Sequence, residues 1–148
     1  MQLSEIIECL KKNGFTVTGF SSAYNDSGRE VCSHSYIYKG KTQVASISRY
    51  DKHITVLAKV KEAYGGHEIF EVIPFSKVTE DTLKNLKVHS EQEYNERKLW
   101  WRQYSIRCDI QKVMNDVNKY YPKNKEMKQK LKEAFEFVKD IKEPPSMF

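Results

Sequence analysis

The sequence predicts an α+β fold: an N-terminal helix, a five-stranded antiparallel meander sheet, and three C-terminal helices packed on one sheet face. Three observations predict it. Apolar residues recur at helical spacing over the first twelve positions, the period drops to two between Phe15 and Phe75, and helical spacing returns beyond Pro74. At 148 residues, with 39% hydrophobic side chains and only six Gly and four Pro, the chain has the size and composition of one packed domain. Residues 1–143 are read as that single domain and 144–148, opened by Pro144-Pro145, as a short tail.

Ser4-Glu5 reads as the start of the first helix, Leu3, Ile6, Ile7 and Leu10 share one of its faces, and Asn13-Gly14 offers a left-handed stop. In the next sixty residues, turn signals at Asn25-Asp26-Ser27-Gly28, Lys39-Gly40, Asp51-Lys52 and Gly65-Gly66 divide the β-branched and aromatic runs into five strands. Two-residue loops at Lys39-Gly40 and Asp51-Lys52 would pair Tyr38 with Lys41 and Tyr50 with His53. Alternation then sorts the side chains onto two faces. One carries Cys32, His34, Tyr36, Ala45, Ile47, Ile54, Val56, Ala58 and Val60 and is expected to meet the helices; the other, rich in Ser and Thr with His53 and Thr55, is expected to face water or a ligand.

Beyond Pro74, Val78 and Leu83 bracket Thr79 as a hydrophobic staple, with Glu80 and Asp81 in the first turn of a short helix. Ser90-Glu91-Gln92-Glu93 is a capping box that opens a long helix, which Pro122 ends after Tyr121. Leu99, Ile106, Ile110, Val113, Val117 and Tyr120 form its apolar stripe, the side expected to pack. A last helix over 124–142 carries Met127, Leu131, Ala134, Val138 and Ile141 as a seam for the preceding helix or for a homodimer.

Three well-separated cysteines, Cys9, Cys32 and Cys108, fit reduced thiols better than a disulfide framework. No apolar run approaches the roughly 20 residues of a membrane helix. Glu5 and Glu8 interrupt the N-terminal apolar residues where a secretory signal would need a continuous stretch. A cytoplasmic protein with no membrane partner is therefore expected. The net charge of +5 is mild, with ten basic and eight acidic residues before Val78 and fifteen against twelve from there on, so neither half is a basic arm.

The most informative patch lies in the long helix. Trp100, Tyr104, Arg97, Cys108 and Trp101 fall on the side away from the Leu99/Ile106/Val117 stripe, Arg102 and Arg107 join them as the candidate partner-binding surface, and the segment from Arg97 to Arg107 holds four basic residues and no acid. Two readings stand: the aromatic rings are core, or they anchor a partner, since Trp, Tyr and Arg dominate such surfaces. A second basic run, Lys119, Lys123, Lys125, Lys128, Lys130 and Lys132, suits phosphate contacts, or is a solvated face laced by the Glu126/Lys130 and Lys132/Glu136 pairs.

Catalytic signatures are missing. There is no phosphate loop, no G-x-S-x-G elbow and no H-E-x-x-H. His53-Ile54-Thr55 matches one half of a two-histidine phosphoesterase, but His34-Ser35-Tyr36 and His89-Ser90 have the wrong offset for the other half. Cys32 and His34 share a face, yet the register above puts His53 on the opposite one, and no second chelating pair follows; no metal and no cofactor are expected.

The expected function is therefore that of a non-enzymatic binding protein that engages a protein or nucleoprotein partner through the basic aromatic helix surface, as a monomer or a homodimer joined by the last helix. Small inhibitor and accessory proteins of phages and mobile elements have this kind of composition. The alternatives are direct nucleic-acid binding by the Lys/Arg helical faces with Trp/Tyr stacking, and a small His-dependent phosphoesterase.

Overall fold

The computed structural model describes all 148 residues. The α+β class and the element order match the sequence reading: α1 (Leu3–Lys12), six strands, α2 (Glu80–Lys84), α3 (Glu91–Tyr120) and α4 (Lys125–Glu136). No helix is long and apolar enough to cross a membrane. The chain divides into two compact units. One is Met1–Tyr94 with Pro145–Phe148, the other Asn95–Pro144, and the division falls inside α3.

In the first unit the strands are β1 (Thr16–Val17), β2 (Ser21–Tyr24), β3 (Glu30–Lys39), β4 (Thr42–Ser48), β5 (His53–Lys59) and β6 (His67–Pro74). They form one antiparallel sheet in the order β1-β3-β4-β5-β6, with β2 also on β3. The expected first strand is thus broken into β1 and β2, which pair with different stretches of the same neighbour. Gly19 stands in the break, where Thr18 takes over the pairing. Its N–H donates to the Tyr36 carbonyl at 3.0 Å and its Oγ1 accepts from the Tyr36 N–H at 2.9 Å.

The core gathers Ile6, Cys9 and Leu10 of α1, Ile37, Ala45, Ile47, Ile54 and Val56 of the sheet, and Val78, Leu83 and Leu86 around α2. α2 has the punctuation its sequence announces, with Thr79 as N-cap accepting from Thr82 N–H and the Val78/Leu83 staple buried. α1 begins one residue before Ser4. Its N-cap is Gln2, whose N–H donates to the Glu5 carboxylate at 3.0 Å, and Gly14 at φ +85° ends it as expected.

The β3 register departs from expectation. Lys39 faces Thr42 and Tyr38 faces Gln43, but the next pair is Ile37 with Ala45, so Val44 is an extra residue in a β-bulge. One inserted residue exchanges the two faces of everything beyond it. Ser33, Ser35 and Ile37 consequently point into the core, whereas Cys32, His34 and Tyr36, expected there, lie on the opposite side. The two buried serines are satisfied: Ser35 Oγ donates to the Thr18 carbonyl at 2.6 Å and Ser22 Oγ donates to Ser33 Oγ at 3.1 Å. Between β4 and β5 the loop runs from Ser48 to His53 and is longer than two residues, but parity is kept, and Ala45, Ile47, Ile54 and Val56 stay on the core face as read.

The final residues are not a free tail. The Ser146 carbonyl accepts from Val72 N–H at 2.7 Å, satisfying an outward donor of the sheet's β6 edge, and Met147 is buried.

In the second unit, α4 stops at Glu136, short of the expected Lys142. Bonds of the i to i+3 kind close Phe137 and Val138 onto Ala134 and Phe135, and a further one closes Ile141 onto Val138. Pro144 and Pro145 disfavour helical geometry in the residues that precede them. The carbonyls of Ile141 and Lys142 are thereby released from helical pairing, and side chains of α3 take them up.

Candidate nucleic-acid interface

α3 opens as its capping box dictates: Ser90 Oγ accepts from Glu93 N–H at 3.1 Å, and Glu93 Oε1 accepts from Ser90 N–H at 3.3 Å. Which side of α3 is covered differs from the sequence reading. Arg97, Trp101, Tyr104, Arg107, Ile110, Met114 and Val117 are half-buried or buried, at helical spacings of three and four. Leu99, Ile106, Val113 and Tyr120, expected to pack, remain 55%, 52%, 45% and 64% exposed. Only Ile110 and Val117 of the expected stripe turn inward.

The covered side contains most of the aromatic patch. The Trp100 indole N–H donates to the Lys142 carbonyl at 2.9 Å, and the Arg107 guanidinium donates to the Ile141 carbonyl at 2.6 Å. Trp101 and Tyr104 meet edge to face at 6.0 Å between centroids. The Arg97 guanidinium lies 5.8 Å from the Trp100 ring centre and that of Arg107 5.9 Å from Tyr104. A hydrogen bond with Cys108 raises the Tyr104 pKa above its ordinary value. Of the six patch residues, Arg102 is the one fully turned outward; Trp100 keeps 37% of its surface exposed. Trp100 and Arg107 tie α3 to the 137–143 segment, because Trp and Arg carry donors and that segment supplies carbonyls.

The lysine run is placed differently. Lys119, Lys123, Lys125, Lys130 and Lys132 are exposed and Lys128 is half-buried, around and beyond the turn between α3 and α4. Lys130 pairs with Glu126 at 3.1 Å. The Lys119 ammonium lies over the Tyr120 ring at 5.2 Å, while the neighbouring Tyr121 is 60% exposed. Asn124 caps α4 by accepting from Met127 N–H at 3.0 Å. From Val117 to Lys125 the chain has three lysines, two tyrosines and no acid.

Charge is divided as unevenly as the fold. Thirteen Lys and Arg stand against eight Asp and Glu in Asn95–Pro144, and twelve against twelve in the rest of the chain. The whole net charge of +5 therefore belongs to the helical unit. Dividing the sequence at Val78 conceals this, because the two compact units divide inside a continuous helix.

In the first unit, the bulge brings His34 and His53 to the same face, with Ser48 between them in one cross-strand row, in contrast to the opposite faces expected. Ser48 is not available to either ring as a hydroxyl to be activated, since its Oγ donates to Asp51 at 2.9 Å. No three His, Cys, Asp or Glu side chains come together to hold a metal ion. A groove elsewhere in this unit is lined by Val56, Glu71, Thr82, His89 and Ser146. His89 is stacked on Phe70 at 3.8 Å and its Nδ1 is bound to Glu93 at 2.7 Å. The hydrogen bond from His89 and that from the Ser90 backbone lower the Glu93 carboxyl from 4.5 to about 2, so Glu93 is held as a carboxylate in a structural clamp. Comparison with family models, with curated proteins and with solved structures finds no match for this chain.

Proposed function

We propose that the protein is a non-enzymatic binding protein whose helical unit engages a polyanionic partner, a nucleic acid or a nucleoprotein. The observation that carries this reading is the confinement of the entire +5 charge to Asn95–Pro144, where exposed lysines surround the α3–α4 turn. Cations gathered on one surface bind phosphates chiefly by releasing condensed counterions, which gives affinity without base specificity. Tyr121 supplies an exposed ring among those lysines, on which a base can stack. The binding surface shifts from the Trp100/Trp101 patch to the turn because the patch donors are spent on the Ile141 and Lys142 carbonyls.

The test is fluorescence anisotropy of labelled single-stranded and duplex oligonucleotides at low and moderate salt. Affinity is expected to fall linearly with salt on a log–log plot. Lys123→Gln with Lys125→Gln should flatten that slope by roughly 0.7–0.9 for each phosphate no longer neutralised. Tyr121→Ala should remove roughly 1–3 kcal/mol of single-strand binding and leave duplex binding unchanged. Absence of binding at low salt, or a slope the lysine variant does not alter, overturns the reading.

A further inference from the structure

On α3, Leu99, Ile106, Val113 and Tyr120 recur every seven residues, so they lie in one row along about 30 Å of helix. All four are exposed, and the basic-surface reading leaves Leu99, Ile106 and Val113 without a role. One flank of the row is covered by the chain itself, through Ile110 and Val117, which turn inward, and through Arg107, which binds the Ile141 carbonyl. The other flank is a second seven-residue series, Arg102, Asp109 and Asp116, all exposed. The exposed strip therefore reads apolar, Arg, apolar, Asp, apolar, Asp, apolar.

That strip is complementary to itself in one direction only. Laid parallel and in register, two copies would set Arg102 near Arg102 and each Asp near its own equivalent. Laid antiparallel about an axis between Asp109 and Ile110, Ile106 meets Val113 of the second copy and Leu99 meets Tyr120. Arg102 then falls beside Asp116 at both ends, as a twofold interface requires. Only Asp109 meets its own kind, at the axis, with Lys112 one turn away on the same exposed side. An apolar row with charged flanks that pair across it is how helices choose partner and orientation.

We infer that a second copy of this chain docks on the first through the Leu99/Ile106/Val113 row of α3, antiparallel, with Arg102 of each copy beside Asp116 of the other. The inference rests on α3 alone and is independent of nucleic-acid binding. It differs from a dimer through the seam expected over 124–142, whose Leu131, Ala134 and Val138 are already half-buried. In such a dimer the two lysine-bearing turns lie at opposite ends of the paired helices, so one partner strand cannot be gripped by both turns side by side.

The experiment is sedimentation equilibrium of the full-length chain over a wide concentration range. A concentration-dependent approach to twice the 17.4 kDa chain mass is expected. Ile106→Glu with Val113→Glu should hold the protein at monomer mass with its far-ultraviolet circular dichroism unchanged. Arg102→Glu should raise the dissociation constant about tenfold, since two favourable flanking pairs become repulsive. Asp116→Arg added to Arg102→Glu should restore the original value, a rescue that a general loss of folding cannot produce. A wild-type chain that stays monomeric throughout, a dimer that survives the double Glu variant, or a charge exchange without rescue each overturns the inference. None of these outcomes bears on whether the α3–α4 turn binds phosphate.

Discussion

The two units of this chain are held by different means. Every residue of the hydrophobic core lies in the first unit, which carries no net charge, whereas Val117 and Pro144 are the two buried residues of the second unit, and that unit carries all of the +5. Apolar burial supplies most of what offsets chain entropy in a domain. With so little of it, the helical unit rests on helix propensity, on the Asn124 cap, and on side chains of α3 that donate to the Ile141 and Lys142 carbonyls. The difference teaches where function is to be sought. A unit that leaves Leu99, Ile106 and Val113 in water and keeps its lysines outward is built as a surface, and the sheet with α1 and α2 is built as an interior.

The largest effect should come from cutting into that interior. Leu83 and Ile54 are completely buried, so Leu83→Ala or Ile54→Ala should each cost about 2–5 kcal/mol in urea unfolding followed by circular dichroism. Val113→Ala removes a half-exposed side chain and should stay within about 0.5 kcal/mol. Equal penalties in the two units would break the comparison, because they would mean that the Leu99/Ile106/Val113 row is an interior in solution.

How far each unit was legible in the sequence follows the same division. Local chemistry reads correctly: the Ser90/Glu93 capping box, the Val78/Leu83 staple and the Gly14 stop all occur, because each is a bond or contact between residues within five positions. The β3 face did not read correctly, because the bulge at Val44 is a backbone choice made in β4 against β3 with no side-chain signature; that one residue moved Cys32, His34 and Tyr36 out of the core and Ser33 and Ser35 into it. In the helical unit, angular position on α3 was legible, but the side that packs was not. Hydrophobicity favours the Leu99 side, yet the 137–143 segment offers bare carbonyls, and Trp100 and Arg107 on the other side donate to them. The lysine run was visible as a run. Its meaning was not, because net charge depends on where the boundary falls.

A middle-sized effect sharpens the account of the second unit. Asn124 accepts from Met127 N–H at the start of α4, and Asn124→Ala should cost about 1 kcal/mol, restored by Asn124→Ser. Since no buried core ties α4 down, that loss should appear locally, as faster hydrogen exchange in the first turns of α4. Exchange that accelerates equally in β4 and β5 would show that the helical unit has no stability of its own to lose.

The smallest effect is set by pH and falls on the first unit. Glu93 is held at about 2 by His89 and Ser90, below its ordinary 4.5, so the folded state favours the carboxylate. A depressed carboxyl contributes stability that is fully present above its unfolded value. That contribution is lost as pH falls from about 4.5 towards 2, the interval the two values enclose. Glu93→Gln should therefore lower the melting temperature near neutral pH, and the gap between variant and wild type should close on acidification. The shift should be slight, because the Glu93 side chain is partly exposed and solvent screens its charge. Glu136 in the helical unit is also lowered, by its hydrogen bond to Lys139, but both groups stand in water, so Glu136→Gln should leave the acid branch of the melting curve unchanged. If Glu136→Gln produced the larger change, surface charge would be stabilising the second unit, and the contrast between an interior held by burial and a surface held by caps and donors would have to be redrawn.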